Sequence, residues 1–278
     1  MKTLFYLLFP LLLWSCSDNE DEYILRVEES ALPDSIHIRL LSENNLPIMQ
    51  NGFVKIKYSS SHLPIKVLGD LVEFNEGVGT YYMFDPYRYE EYQFNVNKVT
   101  RLIKNTENTS VNSEKVIFTL EDNKVILSEE INSNNLSGFK NFTKFIYQNN
   151  KIYKKLNYWF DSSNGSYVDF GIEYLYFFNH KNNLDSIVSQ NVVLDSNLNT
   201  SYDSNQFKSK TVKILKNYDN SKNPFKQLFL LDRFYDRSLS ANNYRHVIEK
   251  TYLDNELTSY NEFDIQYYYE NNQIDLTK

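Results

Sequence analysis

The stretch EFDIQYYYENNQIDL spans residues 262–276. Its first part alternates apolar and polar side chains with a period of two, which is typical of a β-strand. Asn271 and Asn272 follow, and asparagine tolerates the positive φ that a tight hairpin turn requires. Pairing Tyr269 with Ile274 keeps the apolar residues on one face. The stretch therefore predicts a β-hairpin.

The same local design recurs along the chain: a bulky apolar residue, four polar turn residues and an aliphatic residue. The copies are Leu120-EDNK-Val125, Tyr147-QNNK-Ile152 and Tyr252-LDNE-Leu257, with the longer Phe178-NHKNN-Leu184. Their spacing is irregular, which favours a meander of hairpins over a solenoid with a strict repeat.

One segment departs from the strand pattern. Between residues 225 and 235 the apolar side chains are spaced by three and four positions, as on one side of a helix. Asn223 suits the N-cap and Pro224 suits the first helical position. We expect a short helix near 224–236 that covers one face of the sheet. The predicted fold class is all-β, a mainly antiparallel meander that could be curved or a half-barrel, with this one short helix.

Residues 1–15 are predicted to be a signal peptide. A lysine near the start precedes an apolar run that is much shorter than the roughly 20 residues of a membrane-spanning helix. Leu13-Trp14-Ser15-Cys16 resembles the lipobox of bacterial lipoproteins. The resemblance implies cleavage before Cys16, the only cysteine of the chain, and attachment of lipid such as palmitate to it.

An acidic stretch follows Cys16 and resembles the export signal that Bacteroidota place behind a lipidated cysteine. Its residues are Ser17, Asp18, Asn19, Glu20 and Asp21. The resemblance implies a lipid-anchored protein of the outer membrane that faces the cell exterior. We expect residues 16–23 to be a solvated tether, because like charges keep such a segment extended.

The remaining chain is predicted to contain an N-terminal β region at 24–135 and a C-terminal antiparallel β-meander at 139–278. Polar stretches at 104–113 and 132–138 could connect two domains. Both are equally consistent with long hairpin loops inside a single domain, so one domain or two remain open at this stage.

The C-terminal half, about residues 139–276, resembles Bacteroidota lipoprotein domains of unknown function with a porin-like antiparallel meander. The resemblance is carried by FIYQNNKI at 145–152, YLYF at 174–177, KNPF at 222–225 and LSANN at 239–243. It implies architecture and surface location only, and it implies no catalytic residue.

The composition narrows the classes of partner. The chain has 278 residues, of which 29 are Lys or Arg and 36 are Asp or Glu, for a net charge of −7. An acidic protein lacks the electrostatic attraction that drives binding to a polyanion, so we expect no nucleic-acid partner.

No catalytic, metal or cofactor site is predicted from motifs. The four histidines are isolated in sequence, and Cys16 is assigned to lipidation, so neither a zinc site nor a cysteine nucleophile has a local signature. We therefore expect no enzyme activity. A glycosidase needs only two suitably placed carboxylates, so a surface hydrolase with an unmarked carboxylate pair stays an alternative.

Exposed aromatic residues are the best functional indication in the sequence. Six aromatic side chains fall between residues 81 and 92, among them Tyr87, Tyr89 and Tyr92, and Trp159 lies in a second aromatic run. Such rings stack on sugars or serve as protein-binding hot spots, although in a β-domain whose core is built from Tyr and Phe they are more often core and edge residues.

The leading hypothesis from the sequence is a surface-anchored, non-enzymatic binding or scaffold module. The membrane is its partner through the N-terminal lipid, with a glycan or protein ligand as a possible second partner. A glycan-binding accessory protein for nutrient capture is the first alternative, and the surface hydrolase is the second.

Overall fold

The structure is a computed structural model that describes residues 32–42, 47–76, 79–107, 114–132, 138–201 and 209–278. The first strands are β1 (Ser35–His37), β2 (Phe53–Tyr58), β3 (Pro64–Glu76), β4 (Gly79–Asn95), β5 (Lys98–Asn105), β6 (Glu114–Glu121), β7 (Lys124–Asn132) and β8 (Phe139–Gln148). The later strands are β9 (Lys151–Asp161), β10 (Ser166–Phe178), β11 (Leu184–Leu194), β12 (Thr200–Ser201), β13 (Ser209–Lys216), β14 (His246–Leu253), β15 (Glu256–Asp264), β16 (Tyr268–Glu270) and β17 (Gln273–Asp275). The helices are two 3-10 turns, Ile38–Leu40 and Lys226–Leu228, and α1 (Asp232–Leu239).

The main sheet is an antiparallel meander in which strands pair in the order of the sequence. Its order runs from β1 to β11 and continues with β13, β14 and β15, while the short β12 pairs with β11. Among the described residues no pairing joins β1 to β15, so the sheet is open. The predicted fold class is confirmed. The pairing of β7 with β8 continues the sheet across residues 133–137.

The predicted hairpin turns are confirmed in register. Leu120 pairs with Val125, Tyr147 with Ile152, Tyr252 with Leu257, Phe178 with Leu184 and Tyr269 with Ile274. In the four shorter turns both central residues have positive φ: Asp122 and Asn123, Asn149 and Asn150, Asp254 and Asn255, Asn271 and Asn272. A positive φ costs asparagine and aspartate little energy, so these residues take the place of the glycine of an ordinary tight hairpin.

The C-terminal strand differs from the sequence interpretation. The period-two pattern predicts one strand through residues 262–270, but β15 ends at Asp264 and β16 begins at Tyr268. Ile265 is only 9 % exposed and Tyr267 lies against Phe225 at 6.5 Å between ring centroids. Burial of these side chains turns the chain out of the sheet. The hairpin of β16 and β17 then reaches the first strand, where His37 N donates to Leu276 O at 2.7 Å.

The connection between β13 and β14, residues 217–245, is named the plug. The helix predicted near 224–236 lies in it, but its bounds differ, because the 3-10 turn precedes α1 and Leu231 between them is extended. Asn223 explains part of this shift. Its Nδ2 donates to Arg237 O and Ser240 O at 2.7 and 2.8 Å, and its Oδ1 accepts from Phe225 N at 2.9 Å. The side-chain amide of Asn223 thus forms hydrogen bonds with the end of α1 and with the start of the 3-10 turn.

The sheet curves around the plug. Arg233 Nε lies 3.1 Å from Asp70 Oδ1 on β3, and Ser240 Oγ accepts from Leu184 N on β11 at 3.3 Å. β3 and β11 are eight strand positions apart, which is roughly 38 Å in a flat sheet. A helix of 8 residues is only about 12 Å long. One short helix can reach both strands only if the sheet is curved. A curved meander was one of the forms expected from the sequence.

Buried apolar side chains form the core on both sides of the plug. One group joins Ile36, Leu71 and Val99 of the sheet to Phe225 and Phe234 of the plug. A second group contains Tyr176, Leu184, Leu215, Tyr235, Tyr244 and Val247. The plug therefore supplies the apolar surface that the inner face of an open, curved sheet would otherwise expose to water.

We predict that the positive φ of Asn255, 70°, limits what this turn accepts. Asn255→Val should lower the free energy of unfolding by about 1–2 kcal/mol, because a β-branched residue is strained in the left-handed region. Asn255→Gly should be neutral or stabilising. Urea unfolding measures both. Asn261→Val, in the exposed strand β15, is the control and should stay within about 0.5 kcal/mol. Equal effects at both positions would contradict the prediction.

Candidate functional site

Two adjoining cavities lie between the inner face of the sheet and the plug. The first has a volume of about 320 Å³ and the second about 260 Å³. Both are lined by Arg101, Val116, Glu130 and Asp232, so the two cavities adjoin, and together they are here named the cleft. Asp232 marks its mouth, because this side chain is 75 % exposed.

Ion pairs line the first cavity and connect α1 to the sheet. Asp70 Oδ2 lies 3.1 Å from Arg88 Nε, and Asp70 Oδ1 lies 3.1 Å from Arg233 Nε. Arg88 Nη2 also lies 3.5 Å from Glu114 Oε2. Asp70 is thereby shared between two arginines, one from β4 and one from the plug. Asp70 therefore links α1 to two neighbouring strands of the sheet through ion pairs.

Arg101 is the most enclosed charge of the cleft, with only 5 % of its surface exposed. Its Nη2 donates to Asp232 Oδ2 at 2.7 Å. Burial alone would lower the pKa of this guanidinium, but the carboxylates of Asp232 and Glu90 raise it above its usual value. Its Nε has no hydrogen-bond partner in the part of the chain that the structure describes. Arg101 is thus a fixed cation with one unused donor beside the cavity.

Glu90 lies in the first cavity and accepts a hydrogen bond from the hydroxyl of Tyr92. Desolvation raises the pKa of this carboxyl above its ordinary 4.5, while Arg101 and Tyr92 partly oppose the shift. The nearby charges of Asp70 and Asp232 add to the rise. Burial is thus the largest influence on the Glu90 carboxyl, and it raises the pKa. A buried carboxyl whose pKa is shifted beside other charged groups is characteristic of functional sites.

The second cavity combines aromatic rings with polar side chains. The rings are Phe118, Phe145, Phe229 and Tyr235. The polar side chains are Arg101, Ser128, Glu130, Asn141, Thr143, Lys155, Asn157 and Asp232. An apolar wall with a few polar groups aimed at the same space is the usual make-up of a small-molecule site.

The four aromatic residues predicted as a binding surface do not lie on one surface. Tyr87 is 45 % exposed, and Tyr89 lies on the outer face of β4, with its ring under the Lys66 amine at 4.4 Å. Tyr92 is buried on the inner face, opposite Arg101 in the β4–β5 register. Trp159 pairs with Asn141, so it shares the face of the second cavity.

The predicted lipidation site Cys16 and the export signal lie outside the described residues, as do the signal peptide and the tether. No group of three His, Cys, Asp or Glu side chains that could hold a metal ion occurs in the described ranges. The helices described here include none that is long and apolar enough to cross a membrane.

The charged residues of the cleft were missed in the sequence because they sit where a strand pattern suggests apolar ones. Arg88, Glu90 and Tyr92 alternate with a period of two and all face inwards on β4. Period two alone does not say which face is buried. The available signal was the plug, where Asp232 and Arg233 interrupt an apolar run and therefore need partners on the sheet.

Comparison with known proteins gives fold neighbours only. No protein-family model matches the chain, and no curated protein is a significant match. The solved structures include a porin-like protein from Bacteroides vulgatus ATCC 8482, with 11 % identity, a TM-score of 0.50, and coverage of 86 % of this chain and 88 % of that chain. A porin-like protein from Bacteroides uniformis ATCC 8492 has 11 % identity, a TM-score of 0.42 and coverage of 81 % and 86 %.

The protein thus has the antiparallel β-fold of the porin-like structure from Bacteroides vulgatus. The fold implied by the resemblance of the C-terminal half is confirmed. At 11 % identity the likeness extends to fold, and the function has to be argued from the cleft.

We predict that Glu90 makes stability fall as pH rises. The folded pKa exceeds the ordinary 4.5, so the folded state binds more protons than the unfolded state above pH 4.5. The free energy of unfolding should therefore decrease as pH rises through the folded pKa, by at most about 1.4 kcal/mol per pH unit. Urea unfolding at a series of pH values measures this slope, and Glu90→Gln should reduce it.

The adjacent Glu91 supplies the control for this pH dependence. Hydrogen bonds from Lys104 and Lys66 lower its pKa, so its stabilising contribution is lost as pH falls, which is the opposite sign. Glu91→Gln should leave the loss of stability at rising pH unchanged. If the free energy of unfolding falls with pH equally steeply in the wild type and in Glu90→Gln, Glu90 is not the group responsible for this pH dependence.

Proposed function

We propose that the protein is a lipid-anchored protein of the outer membrane that faces the cell exterior and binds a polar ligand in the cleft without chemical turnover. This proposal keeps the surface-anchored binding module inferred from the sequence. It moves the ligand from an exposed aromatic surface to the interior of the curved sheet.

The anchor is supported by the order of features at the N-terminus. A short apolar run ends at Trp14, Ser15 and Cys16 follow, and an acidic stretch comes directly after Cys16. Several acyl chains on one cysteine hold a protein at a bilayer far more firmly than one chain does. Acidic residues between the lipid and the first strand would keep the folded part away from the membrane surface.

The observation that carries the binding role is the cleft itself. It places the enclosed Arg101, a shared Asp70 and a set of aromatic rings around two adjoining cavities. Replacing the charges with apolar residues would pack the plug on the sheet at lower desolvation cost. Polar groups retained at such a site are better explained by a ligand that uses them.

A surface hydrolase is the second candidate for the same site. Glu90, whose pKa is raised by burial, lies within electrostatic reach of Asp70 and Asp232, and glycoside hydrolysis uses a pair of carboxyl groups. Binding without turnover and hydrolysis differ in one observable, the release of product during a ligand assay.

We predict that anchoring depends on Cys16 and orientation on the acidic residues behind it. Cys16→Ala should abolish labelling by radioactive palmitate and release the protein from the membrane fraction. Protease added to intact cells should digest the wild-type protein while a periplasmic marker survives.

The control for this experiment is a variant with Asp18, Glu20 and Asp21 changed to Ala. It should keep its lipid and its membrane fractionation but become protected from protease. Survival of the wild-type protein while a known surface protein is digested would contradict the exterior location.

We predict that a polar ligand stabilises the folded protein by binding in the cleft. A thermal-shift screen of sugars, amino acids, nucleosides and polyamines measures this, since a ligand at a hundredfold excess over its Kd adds about 2.7 kcal/mol. Thr143→Trp fills the second cavity and should abolish the shift, with Ser128→Phe as a second filling variant. Tyr87→Ala, on the outer face, should leave it unchanged.

Two outcomes of the screen would change the proposal. If no class of compound shifts the wild-type melting temperature, the cleft is not a binding site. If a ligand is consumed and product accumulates, with loss of turnover in Glu90→Gln, the hydrolase is favoured over the binding module.

A further inference from the structure

Trp159 lies on the same face of the sheet as the second cavity, next to residues that line it. In the strand register Glu130 of β7 pairs with Asn141 of β8, and Asn141 pairs with Trp159 of β9. Cross-strand partners share a face and lie about 5 Å apart. Asn157, two residues before Trp159 on the same strand, lines the cavity. The register therefore places Trp159 next to two lining residues of the second cavity, Asn141 and Asn157.

Trp159 is part of a flat aromatic pair. Its ring is stacked on that of Phe170, with 6.0 Å between centroids and 12° between planes. A parallel pair of rings presents apolar π-faces, and such faces pack against the C–H surfaces of other flat molecules. The strand that lines the cavity thus also carries a stacking platform at its border.

Charges in the second cavity are balanced. Arg101 and Lys155 supply two cations, and Glu130 and Asp232 supply two anions. The amine of Lys155 also makes cation–π contacts, since it lies 4.4 Å from the ring centroid of Tyr174 and 5.4 Å from that of Tyr235. A cavity with no excess charge favours a neutral ligand over an ionic one.

Two buried polar atoms at this cavity have no hydrogen-bond partner within the described ranges. They are Oδ1 of Asn157, an acceptor, and Nε of Arg101, a donor. A buried polar group without a partner is costly for the folded state and is rarely kept without a reason. A ligand that both donates and accepts hydrogen bonds, as a hydroxyl does, has the chemistry to satisfy both.

We infer that the second cavity binds one neutral sugar ring of an oligosaccharide, with the neighbouring ring stacked on Trp159. This inference rests on the ligand-binding role proposed for the cleft. Sugars offer an apolar C–H face for Phe145, Phe229 and Tyr235, and hydroxyl groups for Asn141 and Asn157. A volume of about 260 Å³ is below the usual range for larger ligands, about 300–1,000 Å³, and suits a single ring.

The chain permits a direct optical test. It contains two tryptophans, Trp14 and Trp159, so Trp159 is the only one in the full chain carrying Trp14→Phe. We would titrate this protein in detergent with lactose, cellobiose, mannobiose and diacetylchitobiose and follow tryptophan fluorescence. At least one disaccharide should change the emission with saturation and a Kd of about 1 mM or tighter. Calorimetry provides a second measurement that does not depend on the fluorophore.

Asn157→Ala is the decisive variant, because Oδ1 of Asn157 makes no hydrogen bond that folding would lose. Its melting temperature should match the parent protein, while the sugar should bind at least about tenfold more weakly. By calorimetry Trp159→Ala should weaken binding more than Trp159→Phe, which keeps a ring. Tyr87→Ala is the matched control, an aromatic truncation on the outer face, and should bind as the parent does.

The outcomes separate this inference from the proposed function. Saturable sugar binding weakened by Asn157→Ala and Trp159→Ala supports both. Sugar binding that neither variant changes overturns the inference, because the sugar then sits elsewhere. If none of the disaccharides binds but a compound of another class gives a thermal shift that depends on the cleft, the inference is overturned and the proposed function stands. If no compound of any class binds, both the inference and the proposed function are overturned.

Discussion

The attachment of the plug to the inner face of the sheet is the constraint on which the rest of the structure depends. Arg237 is 2 % exposed, donates to the carbonyl of Leu40 and stacks over Phe225 at 5.3 Å. Asn223 ties the end of α1 back to the start of the plug. An antiparallel sheet can leave one face to water, but this one is curved, and the plug packs its apolar side chains against the inner face.

The same attachment explains why the interior contains charge. The plug packs apolar rings against the strands on both sides, but its first helical turn carries Asp232 and Arg233, which meet Arg101 and Asp70 of the sheet. Each charge has a partner of opposite sign, as burial requires. These pairs hold the two surfaces together where side chains do not fill the space between them, and the cleft is the result.

Local features of the fold could be read from the sequence, and features set by distant contacts could not. The Asn-built turns at 122–123, 149–150 and 254–255 depend on the φ preference of two residues, so register followed from them directly. The end of β15 depends on Ile265 and Tyr267 meeting the plug, which no local pattern records. The cleft depends on residues such as Arg101 and Asp232, 131 positions apart.

The aromatic residues show the same division between local and distant information. Their abundance indicates a binding surface only if they gather on one face, yet Tyr89 and Tyr92 of the same strand lie on opposite faces of the sheet. Trp159 is informative for a different reason: two strand pairings place it beside Asn141 and Glu130. Polar neighbours distinguish an aromatic side chain that borders a cavity from one that fills a core, and register alone supplies those neighbours.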